Sequence, residues 1–270
     1  MFYKVSELSK TKSKRCYIAR IFKVCGNEKS ESRVMRIVDI CIWYEALRGA
    51  DFRDFVKLVQ DLSLDSIVIS TSDMRLIKEI RKIQPLLETS GTEVFTRFSL
   101  AAIPQKAKRV LAKVRSQVDL VSYRVENRQQ MAFACRDRRV DVIEQPYDKW
   151  IPIFRGDWRN IISLNKFVEL KIYPIIAYYD VRKAANVMFL YRRLVSRSPA
   201  KGRENIILSS GAPSSKYMVS ALSLEKLAEE LGINTLSYSK IFAKIRENRD
   251  KIKGLTPVSG VSIYRNGESI

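Results

Sequence analysis

Histidine is absent from the 270-residue sequence. It is the most frequent metal-binding side chain in proteins and the only one whose ordinary pKa lies close to neutral pH. Its absence excludes serine–histidine and cysteine–histidine catalytic triads, as well as every zinc site that uses histidine. Any hydrolytic chemistry in this chain would therefore have to use carboxylates with magnesium, or lysine.

Several other signals are missing as well. The cysteines are scattered without a C-x-x-C pair, which indicates reduced, mostly buried thiols (Cys16, Cys25, Cys41 and Cys135). The ten glycines form neither Gly-x-Gly-x-x-Gly nor Gly-x-x-x-x-Gly-Lys, so no nucleotide-binding loop is expected. No apolar run approaches membrane-spanning length, and the first residues are charged where a secretory signal would be apolar. We therefore expect a cytoplasmic protein without cofactor, bound metal or membrane contact.

Basic residues are in large excess. The chain has 49 Lys and Arg against 29 Asp and Glu, which gives a net charge of +20 and a pI near 9.9. Such self-repulsion destabilises a free protein and is usually compensated by a polyanion, either nucleic acid or an anionic membrane face. Heat-adapted proteins are the alternative explanation, but their surfaces carry both signs of charge in networks. The composition favours a protein that binds nucleic acid.

Short apolar segments rich in β-branched residues alternate with stretches of helical periodicity. The predicted strands are 34–43, 65–70, 93–100, 118–125, 140–144, 168–176 and 205–209. Seven or eight strands, each followed by a helix, predict an α/β protein with a TIM-like β/α barrel over residues 34–253, and an open doubly wound sheet is the alternative. Ser223 is predicted to cap the helix that Gly232 ends. Residues 1–33, with nine basic and three acidic side chains, form a basic N-terminal extension, and residues 254–270 form a turn-rich tail.

Six carboxylates lie at or near predicted strand ends: Asp39, Asp119, Glu126, Asp141, Glu144 and Glu169. Because β/α barrels assemble their active sites at the carboxyl ends of the strands, a free-standing magnesium phosphoesterase using Glu126, Glu144 or Asp39 is one hypothesis. Only Glu126 and Glu144 end their strands, however. Asp119 and Asp141 open theirs, Asp39 lies inside one, and Glu169 begins one. This distribution favours structural roles for most of the six.

The basic residues cluster on particular units of the predicted barrel and are not matched by acids. The clusters fall at 106–115, 124–139, 171–203 and 240–253. Arginine presents a planar fork that suits phosphate, and each phosphate contact releases counterions. Aromatic residues alternate with the charges between residues 123 and 159. Packing is the favoured explanation for most of them, with base stacking and protein–protein anchoring by Trp150 and Trp158 as alternatives.

Three segments of the sequence form a recognisable set. The first comprises VDLVSY at 118–123, MAFAC at 131–135 and RVDVIE at 139–144. The second is VELKIYPII at 168–176, with Arg182 downstream. The third is NIILSSGA at 205–212, followed by LEKLAEELG at 224–232. Together they resemble the ribonuclease P protein component 3 family, the barrel-shaped subunit of archaeal and eukaryotic ribonuclease P.

The resemblance implies a barrel related to metal-dependent phosphoesterases that has lost their histidine ligands, in agreement with the absence of histidine. It also implies pairing with a small RRM-like subunit and assembly of such pairs into a heterotetramer. That assembly helps the catalytic RNA to fold and to remove the 5′ leader from precursor tRNA, while the chemistry stays with the RNA and its magnesium ions. The leading hypothesis is a non-catalytic, RNA-binding ribonuclease P subunit. The magnesium phosphoesterase and a generic basic structural RNA-binding protein are the alternatives.

On this hypothesis, a set of basic side chains is predicted to contact RNA: Arg124, Arg128, Lys171, Arg182, Arg192, Arg193 and Lys216. The backbone amides of Ser210, Gly211 and Ala212 are predicted to add a phosphate site, provided that they open toward a helix N-terminus. No catalytic residue and no metal ligand is predicted. Contact with precursor tRNA is expected to be indirect, through the ribonuclease P RNA.

Overall fold

The computed structural model describes residues 37–254 with the exception of residues 90 and 179. The predicted basic extension at 1–33 and residues 255–270 of the predicted tail lie outside the described residues, so the predicted domain boundaries stay predictions. Cys16 and Cys25 also lie outside them. Within the described ranges, every helix is too short or too polar to traverse a lipid bilayer.

A sheet of seven parallel strands forms the centre of the fold, and its strands are hydrogen-bonded in the order of the sequence. The strands are β1 (Val38–Trp43), β2 (Ser66–Thr71), β3 (Glu93–Leu100), β4 (Leu120–Arg124), β5 (Val142–Glu144), β6 (Phe167–Lys171) and β7 (Ile206–Ser209). The two edge strands meet, because Trp43 N donates a hydrogen bond to Ala212 O, just beyond β7, at 3.0 Å. The sheet is thus nearly closed. The predicted TIM-like barrel is confirmed, and the open doubly wound alternative is wrong.

Helices follow the strands and surround the sheet. In chain order they are α1 (Tyr44–Arg48), α2 (Phe52–Asp61), α3 (Leu76–Glu88), α4 (Pro104–Val114), α5 (Arg128–Arg136), α6 (Arg155–Ser163), α7 (Tyr173–Ala177), α8 (Val181–Arg197), α9 (Ala200–Arg203), α10 (Ala221–Leu231) and α11 (Leu236–Ile252), with a short 3-10 helix at Ser215–Tyr217. Buried apolar side chains on these helices, such as Phe55, Ile80 and Leu111, pack with the strands into one hydrophobic core. Helical spacing of apolar residues therefore marks the faces that cover the sheet.

The strand predicted over 168–176 is too long. β6 ends at Lys171, and Pro174 lies in the first turn of α7. Proline is tolerated at this position because the first amides of a helix have no intrahelical partner. The apolar run Tyr173–Ala177 is therefore a short helix rather than the end of a strand.

The predicted cap of α10 is also wrong by one turn. The helix begins at Ala221, and Ser220 is its cap, since the Ser220 side chain accepts a hydrogen bond from Ser223 N at 3.2 Å. Ser223 lies in the first turn. The predicted end is confirmed, because Gly232 adopts a left-handed conformation with φ of +75°.

Helix α11 lies across the end of the barrel at which the strands begin, which we call the amino end. Asn248 Nδ2 donates to the backbone carbonyl of Asp119, just before β4, at 2.9 Å, and Arg249 lies 3.2 Å from the Asp119 carboxylate. Asp141, just before β5, lies 3.3 Å from Arg115. The predicted positions of Asp119 and Asp141 at the opening ends of their strands are confirmed. The opposite end, where the strands finish, is the carboxyl end.

Candidate nucleic-acid interface

The interior of the barrel is polar and is organised around one arginine. Arg97 lies in the middle of β3 and has no exposed surface. Its Nη1 donates to Glu169 Oε1 at 2.9 Å and to Ile40 O at 2.8 Å, and its Nη2 donates to Glu144 Oε1 at 3.0 Å. One guanidinium thus joins two buried carboxylates that come from β5 and β6.

Lys171, the last residue of β6, reaches the same carboxylate from the carboxyl end. Its Nζ lies 2.6 Å from Glu144 Oε2 and 5.3 Å from the centre of the Trp43 ring, and 14% of its side chain is exposed. Burial alone would raise the pKa of Glu144, but the charges of Lys171 and Arg97 outweigh burial and hold that pKa well below its usual range. Glu144 is therefore ionised at neutral pH, with a cation on each side.

Asp39, inside β1 as predicted, is tied into the backbone. Its Oδ1 accepts hydrogen bonds from Cys41 N at 3.2 Å and from Ser210 N at 3.0 Å. Its Oδ2 has no hydrogen-bond partner among the described residues, and burial raises the pKa of the carboxyl. This carboxyl therefore links the two edge strands, β1 and β7, and its role is structural.

The carboxylates considered for a magnesium site do not form an open set of ligands. Glu126 lies exposed beyond β4, whereas Glu144 is enclosed by its two cations. The prediction that Glu169 begins a strand is wrong, because it lies in the middle of β6 beside Arg97. Within residues 37–254, leaving out the two gaps, no three His, Cys, Asp or Glu side chains are grouped closely enough to hold a metal ion.

Aromatic side chains collect in the segments that follow β5, β6 and β7 at the carboxyl end. The ring centres of Tyr147 and Tyr178 are 6.3 Å apart, and those of Tyr173 and Tyr217 are 4.9 Å apart. Lys216 Nζ lies 4.7 Å from the centre of the Tyr217 ring. Cations next to aromatic rings are the combination that single-stranded nucleic acid uses, since phosphates meet the charge and bases stack on the rings.

Two of the predicted RNA contacts lie close to the carboxyl end of β4. Arg124 is its last residue, with 48% of its side chain exposed and its Nε 3.7 Å from Glu144. Arg128, the first residue of α5, lies 2.5 Å from Asp157 and 4.3 Å from the centre of the Phe154 ring. Both arginines are oriented by these neighbours, and a carboxylate balances part of their charge.

The predicted RNA-contacting side chains on α8 and beyond β7 have no carboxylate that balances their charge within the described residues. Arg182, Arg192 and Lys216 are exposed, and Arg193 lies 5.2 Å from the centre of the Trp150 ring. In the part of the chain that the structure describes, none of these four cations forms an ion pair with a carboxylate. Their charge is directed to solvent and is available to a polyanion.

Phe189 belongs to the same surface and was not expected there from the sequence. Its side chain is 63% exposed. It lies seven residues after Arg182 and four before Arg193, so the three share one face of α8. The apolar stripe that packs on the barrel uses Val187 and Tyr191. The sequence could have indicated the role of Phe189, because it is a large apolar residue outside the stripe that packs on the barrel.

In the turn at Ser210–Ala212, two of the three predicted phosphate-binding amides already have acceptors within the protein. Ser210 N donates to Asp39 Oδ1 at 3.0 Å, and Ala212 N donates to Ser210 Oγ at 3.2 Å. Gly211 has φ of +62°, and a side chain there would begin 2.9 Å from Lys171 Cβ. The glycine therefore lets the backbone pass close to Lys171. RNA contact by Ser210 and Gly211 stays a prediction that this geometry does not favour.

Comparison with known proteins gives a family match. The family model for RNase P subunit p30 matches residues 36–248, and no curated protein matches the sequence. A chain in the cryo-EM structure of archaeal ribonuclease P with mature tRNA has a TM-score of 0.63 at 16% identity, covering 86% of this chain and 100% of that chain. A Xaa-Pro dipeptidase with bound methionine has a TM-score of 0.46 at 8% identity, covering 78% of this chain and 74% of that one.

Proposed function

Since this chain belongs to the RNase P subunit p30 family, we propose that it is a protein subunit of the ribonuclease P ribonucleoprotein. In this role it binds the catalytic RNA and supports removal of the 5′ leader from precursor tRNA. The family predicted from the three sequence segments is confirmed. The archaeal ribonuclease P chain of the same fold was found in a complex with mature tRNA, which supports this assignment.

The observation that carries the proposal is the set of unbalanced cations on α8 and in the loop after β7. Arg182, Arg192, Arg193 and Lys216 make no ion pair within the described residues, and the net charge of the whole chain is +20. Phosphates that bind such cations release condensed counterions, which makes binding favourable and strongly salt-dependent. The exposed Phe189 and the tyrosines of the carboxyl end supply faces on which unpaired bases stack.

The protein itself is proposed to be non-catalytic. In the barrel interior, the guanidinium of Arg97 lies between Glu144 and Glu169, so both carboxylates already have a cationic partner. A magnesium phosphoesterase would need these groups free for the metal ion. This arrangement favours the subunit over the enzyme, and it leaves the chemistry to the RNA and its magnesium ions.

The finer features of the assignment go beyond what the family match shows. We propose pairing with a small RRM-like subunit, and assembly of two such pairs into a heterotetramer. Contact with precursor tRNA is then indirect, through the ribonuclease P RNA, and the complex is cytoplasmic. Light scattering and native mass spectrometry of the chain mixed with the small subunit test the stoichiometry.

Cleavage of a precursor tRNA by the cognate ribonuclease P RNA and small subunit, with and without this chain, tests the function directly. We expect the chain to increase the rate only when the RNA is present. Cleavage by the protein alone, abolished by EDTA and by Glu144→Gln, would instead establish the phosphoesterase. Binding to ribosomes without any effect on cleavage would establish a generic structural RNA-binding protein.

A further inference from the structure

A groove runs between α6 and the segment that joins α8 to α9, and we call it the α6–α9 groove. Its floor is formed mainly by Ile153, Trp158 and Ile162, and its volume is about 590 Å³. This volume lies within the range of about 300–1,000 Å³ that is typical of sites that bury a bound group. Gly202 keeps the two walls close, since a side chain there would begin 2.8 Å from the Trp158 ring.

The rim of the α6–α9 groove carries charge of one sign. Arg155 and Arg159 project from α6, and Arg197 and Lys201 lie on the opposite wall. All four are exposed, and none of the described residues that line the groove is Asp or Glu. Within the described ranges of the chain, none of the four forms an ion pair with a carboxylate. A binding partner must therefore offer apolar side chains flanked by negative charge.

An RNA strand fits this groove poorly, although its phosphates would suit the rim. Single-stranded RNA sites use exposed aromatic faces on which bases stack. Among the described residues that line the groove, Trp158 is the one aromatic side chain, and it is 5% exposed and so has no free face. The aliphatic floor of Ile153 and Ile162 matches leucine-like side chains instead.

The chain's own segments beyond the described residues do not fit by charge. Residues 1–33 carry nine basic and three acidic side chains, so their charge has the same sign as the rim. Residues 255–270 contain one of each, Arg265 and Glu268. Neither segment supplies the negative charge that complements the rim.

We propose that the α6–α9 groove is a docking site for an acidic amphipathic segment of a partner protein. The segment lays its apolar side chains on the floor and directs its carboxylates to the four cations of the rim. The groove adjoins the RNA-contacting residues proposed on α8, because Arg197 is the last residue of that helix and lies 5.9 Å from the centre of the Trp150 ring that Arg193 also contacts. It gives the subunit a protein-binding surface that leaves the carboxyl end of the barrel free.

Photo-crosslinking on the full chain tests the proposal. A benzoyl-phenylalanine replaces Ile162, and the protein is irradiated with two labelled probes in separate reactions. One probe is a synthetic peptide with leucines on one helical face and glutamates on the other, and the second is an oligouridine. We expect the peptide to be crosslinked and the oligouridine not. The double change Arg159→Glu with Lys201→Glu should lower the peptide yield at least about tenfold.

The matched control is Arg53→Glu with Lys57→Glu on α2. These two side chains are also exposed, and the change in net charge is the same, so the peptide yield should not fall. The proposal is overturned by a larger yield with the oligouridine, by no crosslink with either probe, or by equal losses in the two double variants. The peptide reaction contains no RNA. It therefore tests the docking proposal even if the chain fails to stimulate precursor-tRNA cleavage.

Discussion

The amino end of the barrel and the outer face of α8 use their cations in opposite ways. At the amino end, Arg249 lies 3.2 Å from Asp119, and Arg115 lies 3.3 Å from Asp141. On α8, Arg182 and Arg192 are exposed and form no ion pair within the described residues. Arg115 follows α4, but Arg249 lies on α11, which is as long as α8 and also strongly basic, with 17 residues in each helix.

The difference teaches which part of the net charge is available for binding. A cation that is paired and buried contributes to folding, and its charge is largely cancelled at the surface. An exposed and unpaired cation contributes little to stability but attracts a polyanion over the range of the Debye length. The amino end should therefore respond to mutation through stability, and α8 should respond through RNA affinity. Each of the following experiments tests this division.

The largest effect is expected in the barrel interior. Arg97→Met leaves Glu144 and Glu169 buried without the guanidinium that joins them. Breaking a buried pair by removing one partner costs about 3–5 kcal/mol, because an uncompensated charge remains. Urea denaturation followed by circular dichroism should show a loss of this size. Adding Glu169→Gln to the same chain should recover part of it, and a loss below about 1 kcal/mol would show that the network does not stabilise the barrel.

Removal of a paired cation at the amino end should have the next largest effect. Besides Asp119, Arg249 donates to Val94 O, and its guanidinium lies 3.9 Å from the centre of the Phe95 ring. Since 12% of its side chain is exposed, Arg249→Ala should lower the free energy of unfolding by about 2–3 kcal/mol. RNA affinity, measured at a temperature where the variant is folded, should not change.

Arg246 is the control for Arg249. It lies one turn earlier on α11 and pairs with Glu93 at 2.8 Å, but its side chain is 50% exposed. Exposed ion pairs contribute about 0–1 kcal/mol. Arg246→Ala should therefore leave the unfolding midpoint almost unchanged. A loss equal to that of Arg249→Ala would mean that burial does not decide the role of these cations.

The strands were predictable because parallel strands buried on both faces appear as short β-branched runs, and all seven occur near the expected positions. The roles of the cations were not predictable. In the sequence, Arg249 and Arg192 are both arginines of a basic helix, and only packing separates them. Likewise, the pairing of Arg97 with Glu144 and Glu169 spans 47 and 72 residues. An arginine inside an apolar strand signals that a partner exists, but it does not identify the partner.

A smaller effect, in binding rather than stability, is expected on α8. Arg182→Ala with Arg192→Ala should lower the affinity for the ribonuclease P RNA by about tenfold at moderate salt. It should also reduce the slope of log K against log salt by about 1.4–1.8, since each lost phosphate contact removes about 0.7–0.9. The melting temperature should not change. Arg53→Ala with Lys57→Ala on α2 removes the same charge, and an equal loss of affinity there would show that only net charge matters.

The smallest effect on stability is expected from Lys166, and it is also the most specific. Lys166 is a cation at the amino end that is held by carbonyls rather than carboxylates. Its Nζ donates to Ala134 O at 2.8 Å, to Asp137 O at 2.5 Å and to Val140 O at 3.0 Å. Burial lowers the pKa of Lys166 from its usual 10.5 to about 8. Above pH 8 the folded protein therefore loses this proton while the unfolded chain still holds it.

The unfolded state then binds more protons than the folded state, so the contribution of Lys166 to stability must rise with pH between about 8 and 10.5. Between pH 7 and pH 8.5 the rise should be about 1 kcal/mol. Urea denaturation of the parent chain and of Lys166→Met at both pH values isolates the contribution of Lys166. The quantity compared is the free energy of unfolding of the parent minus that of the variant, in which the titration of tyrosines and cysteines cancels. If this quantity stays constant or falls as the pH rises, the three carbonyls stabilise the ammonium more than burial destabilises it. Lys166 would then resemble the carboxylate-paired arginines of the amino end.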